Sequence, residues 1–161
     1  MSDESWMKYA LSLAIRAESI GEVPIGCVIV RGQLEIGAAH NEVEQRHDAT
    51  AHAEMLALRV ASSAGGSWRL NGATLYTTLE PCPMCAGAIL LARVERVVYG
   101  ASDPKKGADG SAYAVLQSPA GNHHPEVVGG ICSEAAGSLL TQFFQRRRAN
   151  ASTTDDGVAD D

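Results

Sequence analysis

The sequence predicts an α/β layered domain in which helices cover both faces of a central mixed sheet of about five strands. Three observations carry that expectation. Five runs, IGCVIV, QLEIGAAH, ATLYTTL, RVVYG and EVVGGI, have the β-branched and alternating apolar character of strands. Segments with apolar residues at helical spacing separate most of them. Only Arg31 and Gly32 divide the first two runs, a hairpin signal that places an antiparallel pair in an otherwise alternating chain.

Taken in order, Glu4 to Ser19 predicts a first helix, with Trp6, Tyr9, Ala10 and Leu13 on one face and Gly21 as its stop. After the hairpin, Asp48 or Thr50 is placed to cap a second helix that runs to about Ser63 and is broken by Ala64-Gly65-Gly66-Ser67. The strand ATLYTTL leads into the apolar helix PMCAGAILLARV and then the strand RVVYG. Ala101 to Pro125 is rich in Gly, Ser, Asp and Pro, with one ordered turn expected at Tyr113 to Leu116; its length suits a functional loop better than a plain connector. EVVGGI is a final short strand, and Glu134 to Arg148 a last helix whose stripe is Leu139, Leu140, Phe143 and Phe144, at least one of the two phenylalanines being core. The expected organisation is one domain, residues 1–148, followed by a disordered acidic tail, residues 149–161.

A chain of 161 residues, 45% hydrophobic and 20% charged, suits one soluble domain with a sizeable core. The acidic start lacks the pattern of a secretory signal and no apolar run approaches the roughly 18 residues that span a bilayer, so a cytoplasmic protein with no membrane partner is expected. The net charge of −6 argues mildly against nucleic acid, yet Asp155, Asp156, Asp160 and Asp161 in the tail supply four of those charges. The nearly neutral body keeps two basic clusters, Lys105-Lys106 in a glycine-flanked loop and Arg146-Arg147-Arg148 on the last helix.

TAHAEMLAL opens the second long helix with His52 and Glu54 in its first turn, where neither packs a core. Cys82-Pro-Met-Cys85 follows a predicted strand and begins the next helix, so its sulfurs share a face near free N–H groups and a helix dipole that favours thiolate. Strand, C-x-x-C, helix is also the arrangement of a thioredoxin-like redox site. That reading leaves His52 and Glu54 without a task, whereas two helix starts meeting at one sheet edge would join His52, Cys82 and Cys85 as three zinc ligands. The fourth position is left for water, with Glu54 beside it as a carboxylate that moves protons. Cys27, in an apolar strand, and Cys132 are expected to be small buried side chains.

His52-Ala-Glu54 followed by Pro81-Cys82-Pro-Met-Cys85 matches the H-x-E…P-C-x-x-C signature, and the chain resembles zinc-dependent nucleobase deaminases. EVPIGCVIV, HNEVEQRHDATAHAEMLALR, LYTTLEPCPMCAGAI, RVVYGASDPKKGADGS, NHHPEV and LLTQFFQRRR are similar in order and spacing to the bacterial tRNA adenosine deaminases, over Trp6 to Arg148. The resemblance implies a three-layer α/β/α cytidine-deaminase-like fold, a homodimer, one Zn²⁺ per chain, and conversion of the wobble adenosine of an arginine tRNA to inosine. It assigns the metal to His52, Cys82 and Cys85, proton transfer to Glu54, and base recognition to Asn41. For the tRNA anticodon stem-loop it implies contacts from Ala53, Pro81, Asp103, Lys105 and Lys106, and from Asn122, His123, Phe144 and Arg147. A free cytidine, deoxycytidylate or guanine deaminase uses the same ligands, and a zinc-binding subunit without activity would not need Glu54. Three positions depart from the family pattern: Pro83 between the cysteines, Ala49 where Pro is usual, and His124-Pro125 after Asn122-His123.

Overall fold

A computed structural model describes residues 1–155 of the chain. Helix α1 (Asp3–Ser19) is followed by the hairpin β1 (Gly26–Arg31) and β2 (Leu34–His40), a single turn α2 (Val43–Arg46), α3 (Ala53–Gly65), β3 (Ala73–Leu79), α4 (Pro83–Leu91), β4 (Arg96–Ala101), β5 (Glu126–Val128) and α5 (Ser133–Asp155). The sheet order is β2-β1-β3-β4-β5. β1 is antiparallel to both β2 and β3, while β3, β4 and β5 run parallel, which gives the expected mixed sheet of five strands.

Two apolar layers sandwich this sheet. On one face Leu75, Ile29, Cys27 and Val97 meet Ala57, Leu58 and Ala61 of α3 and Ala86 and Ile89 of α4. On the other, Val28, Val30, Tyr76 and Val98 meet Trp6, Met7, Ala10 and Leu13 of α1, and α5 packs beside α1 over β4. Residues along β3 therefore alternate, Leu75 and Thr77 toward α3, Tyr76 toward α1, as the period of a strand requires. Gly26 permits the closest helix approach, since a Cβ there would lie 2.0 Å from the Ala10 carbonyl oxygen of α1.

The element ends differ from expectation where local chemistry intervenes. α3 begins at Ala53 with His52 as its N-cap residue, and Asp48 instead accepts from the Thr50 N–H and hydroxyl at 2.8 and 2.7 Å. The turn α2, absent from the sequence reading, closes on His47 in the left-handed region. α4 stops at Leu91, three residues short of the expected Val94, because the chain turns at Arg93, φ 61°. The last strand is shorter than EVVGGI, and α5 continues past Arg148 to Asp155, so residues 149–155 are helical rather than a disordered tail; residues 156–161 lie outside the described part. Of the phenylalanine pair, Phe143 is buried and Phe144 exposed. No helix among the described residues is long and apolar enough to cross a membrane.

Candidate active site

The topology brings several chain ends to one edge of the sheet. β3 and β4 finish there, β1 starts there because it runs antiparallel to β3, and α3 and α4 begin there. A cleft of about 800 Å³ opens at this edge, with His52, Glu54, Glu80 and Cys82 along its floor and Asp103, Lys105, Lys106, Phe144 and Arg148 among its walls. Ligand sites at the carboxyl ends of parallel strands are a general property of such sheets.

His52 and Cys82 occupy equivalent places, each the extended N-cap residue of a helix that begins at the cleft. Neither side chain caps its own helix, which leaves both free to point inward. Pro83 fits this arrangement, since it stands at the first helical position, where an N–H would have no partner. The His52 Nδ1 lies 3.6 Å from Cys82 Sγ and 3.5 Å from Cys85 Sγ. Zinc bonded at about 2.0–2.1 Å to nitrogen and about 2.3 Å to sulfur needs tetrahedral N···S edges of roughly 3.5–3.6 Å, so the three donors are already spaced for it. They are also the only group of three or more His, Cys, Asp or Glu donors so arranged among the described residues.

The electrostatics agree with that donor set. Hydrogen bonding from Cys85 outweighs burial and, with His52, holds the Cys82 thiol down at about 4, the direction that favours a metal-binding thiolate. The same Cys82 and burial push Cys85 upward. The bond to Cys82 raises His52 against the effect of burial. Glu54, 4% exposed, is raised by burial, and its carboxylate is fixed by the Thr77 hydroxyl at 3.2 Å and lies 3.7 Å from Cys85 Sγ. Glu54 thus lies beside the candidate metal-binding trio and outside it.

The remaining expected residues divide. Asn41, Asp103, Lys105, Lys106 and Phe144 line the cleft. Ala53 and Pro81 are buried next to the ligands, Pro81 accepting the Ala108 N–H at 2.8 Å. Asn122 and His123 do not line the cleft: they precede β5, and the His123 ring is 2.6 Å from the Val94 carbonyl, at the opposite end of β4. Arg147 is also outside it, paired with Glu44 at 3.8 Å and set over the Phe143 ring, while Arg146 pairs with Glu18. Of the three arginines, Arg148 faces the cleft. Cys27 is buried apart from the donor set.

Sequence reasoning missed two buried carboxylates. Glu22, fully buried, accepts from the Asn41 side-chain amide at 3.3 Å and from the Gln45 N–H at 2.7 Å, fixing the way Asn41 presents itself to the cleft. Glu80, 1% exposed, accepts from the loop after β4. The available signal was an acidic residue abutting each buried strand, in GEVPIG and TTLEP.

Residues 1–101 match a family described as the cytidine and deoxycytidylate deaminase zinc-binding region. A tRNA-specific adenosine deaminase of Bacillus subtilis is 52% identical over 146 residues, 91% of each chain. A solved structure from studies of A-to-I editing by tRNA:A34 deaminases at the wobble position of transfer RNA superposes with a TM-score of 0.81 at 43% identity, covering 84% of this chain and 99% of that one. A guanine deaminase of Bacillus subtilis gives a TM-score of 0.63 at 32% identity over 92% of this chain and 95% of its own.

Proposed function

The chain belongs to the cytidine and deoxycytidylate deaminase zinc-binding family, and from that premise we propose that it converts the wobble adenosine of a tRNA anticodon, in an arginine tRNA, to inosine. The observation that carries the reading is the buried Glu54 beside His52, Cys82 and Cys85 at the floor of a cleft whose rim bears Lys105, Lys106 and Arg148. His52, Cys82 and Cys85 would hold zinc, whose chemistry there would be to acidify a water for attack. Glu54 takes a proton from water, passes it to N1 of adenine, and serves again as the acid for the departing amino group, so that water and adenine become hypoxanthine and ammonia. Burial raises the Glu54 carboxyl above its ordinary value, the direction suited to a group that must both take and return a proton.

A stacked base could not reach this floor, so the substrate must present adenine unpaired or splayed from a loop. Asn41, held by Glu22, is positioned to bond the entering base, and Phe144, 40% exposed at the rim, offers a ring to a neighbouring base. The lysine pair and Arg148 meet the backbone phosphates, which is how an acidic chain holds RNA. A homodimer is consistent with apolar side chains left exposed on the two site helices, Val60 of α3 and Leu91 of α4; light scattering should return twice the chain mass. The likeness to a guanine deaminase supports a second reading, a free purine base as substrate. Incubating the purified protein with total tRNA and, separately, with free guanine and adenine decides between them. Inosine at the wobble position of the arginine isoacceptor supports the first reading, and ammonia from the free base alone supports the second.

A further inference from the structure

We infer that Glu80 is a positioning residue that fixes the basic wall of the cleft, clamping residues 103–111 so that Lys105 and Lys106 stand ready for the RNA backbone. The inference rests on the tRNA reading above and deepens it, since it assigns the order of that wall to one buried side chain.

Glu80 follows β3 and precedes Pro81 and the ligand Cys82. Its carboxylate is 1% exposed and forms no salt bridge among the described residues, so loop donors satisfy it instead of a cation. One oxygen accepts the Asp103 N–H at 2.9 Å and the Ser111 hydroxyl at 2.6 Å; the other accepts the Asp109 N–H at 2.9 Å and the Ser111 N–H at 3.3 Å. All four donors belong to one stretch that is neither helix nor strand. An acceptor-only group is what four converging donors demand, because an amide in its place would turn an NH₂ toward N–H groups.

The order imposed at Asp103 passes to the lysines. Asp103 Oδ1 accepts the backbone N–H groups of Lys105 and Lys106 at 3.0 and 3.2 Å, so the carboxylate that fixes Asp103 also fixes the turn that carries both cations. Gly107 completes the fit: a Cβ there would lie 2.3 Å from the Glu80 carboxylate, so the loop backbone closes directly on it. The Ala108 N–H bonds the Pro81 carbonyl at 2.8 Å and the Tyr99 hydroxyl bonds Asp109 at 3.0 Å, holding the far side of the loop. One short segment, Glu80-Pro81-Cys82, thus sets both the wall and a metal ligand. A wall ordered before binding spares the complex the entropy of ordering it.

The test compares wild type, Glu80→Gln, Gly107→Ala, a Lys105→Ala/Lys106→Ala pair, and that pair combined with Glu80→Gln, on an anticodon stem-loop RNA. Glu80→Gln should keep zinc near one per chain, speed hydrogen exchange at the amides of Asp103, Asp109 and Ser111, and raise KM about tenfold with kcat within about threefold, the signature of lost phosphate contacts. Gly107→Ala should behave likewise. The lysine pair should raise KM comparably, and adding Glu80→Gln to it should change little further, since both act through the same contacts. An unchanged KM in Glu80→Gln, a fall in kcat or zinc without a rise in KM, or fully multiplicative effects in the combined variant would each overturn the inference. If wild type leaves the RNA unmodified, the tRNA reading itself fails and this inference falls with it; if wild type is active and only the variant pattern is missing, the tRNA reading stands.

Discussion

Tyr76 and Thr77 are neighbours on β3 that point to opposite faces of the sheet, and each belongs to a polar cluster of a different kind. On the α1 face the Tyr76 hydroxyl donates to Asp3 at 2.8 Å, and Arg96 grips the same carboxylate with two bonds of 2.8 Å. Every charge there has an opposite partner inside the fold. On the α3 face Thr77 donates to Glu54, beside two sulfurs and one imidazole. That second cluster gathers donors for a cation and a buried acid, and among the described residues no Lys or Arg forms an ion pair with them. The difference teaches how to separate stability from chemistry in this protein: the closed cluster completes itself, whereas the open one is completed by metal and substrate.

The largest expected effect is therefore chemical. Glu54→Ala should lower the rate of inosine formation by about 10³-fold while keeping about one zinc per chain, because a proton carrier typically contributes 10²–10⁴ and coordination does not use it. Activity and metal content measured on one preparation check this. Next, His52→Ala or Cys82→Ser should lose zinc and activity together. A chelator should lower the melting midpoint of wild type but leave that of these variants in place, since a ligand bound only by the folded state stabilises it.

The closed cluster should respond in the other way. Asp3→Asn weakens the bonds to Arg96 and Tyr76 and should cost about 1–2 kcal/mol in denaturant unfolding, with activity per folded molecule unchanged. Arg96 first, against burial, and then Tyr76 hold the Asp3 carboxyl below its ordinary value of 3.8. A depressed carboxylate stabilises the fold fully above the unfolded value, and that contribution disappears as pH falls through the folded one. The gap between wild type and Asp3→Asn should accordingly be constant above about pH 5 and shrink in acid; a gap that widens in acid would contradict the assignment. Smallest of all, Thr77→Val should slow the reaction a few-fold by releasing Glu54, and Tyr76→Phe should leave the rate alone while costing about 1 kcal/mol of stability.

How far the sequence foretold these clusters follows from the range of the interactions that build them. ATLYTTL was legible to the residue as β3, because strand alternation is local and both ends carry breaks. The donor trio of His52, Cys82 and Cys85 was legible because chemistry restricts which residue types can stand at i and i+3 beside a distant histidine. Glu80 and Glu22 were not, since a buried carboxylate is identified by donors that arrive from other parts of the fold, in Glu80's case 23 to 31 residues along the chain. The same holds for Asn122 and His123, whose place at the far end of β4 depends on where β5 pairs. The arginine run illustrates helical rotation: three adjacent residues on α5 point three ways, toward Glu18, toward Glu44 and into the cleft. Reading α5 as ending at Arg148 treated polar residues as a stop, although helix continuation needs only the absence of a breaker through Asp155.

Returning zinc in measured amounts to chelated wild-type and Glu54→Ala protein, while following both bound metal and inosine in tRNA, tests the open cluster most directly. The arrangement of His52, Cys82, Cys85 and Glu54 predicts that both proteins saturate at one zinc per chain and that inosine formation in wild type rises in step to the same point, with the variant flat throughout. Activity that does not depend on zinc, or a Glu54→Ala protein that makes inosine as fast as wild type, would contradict it.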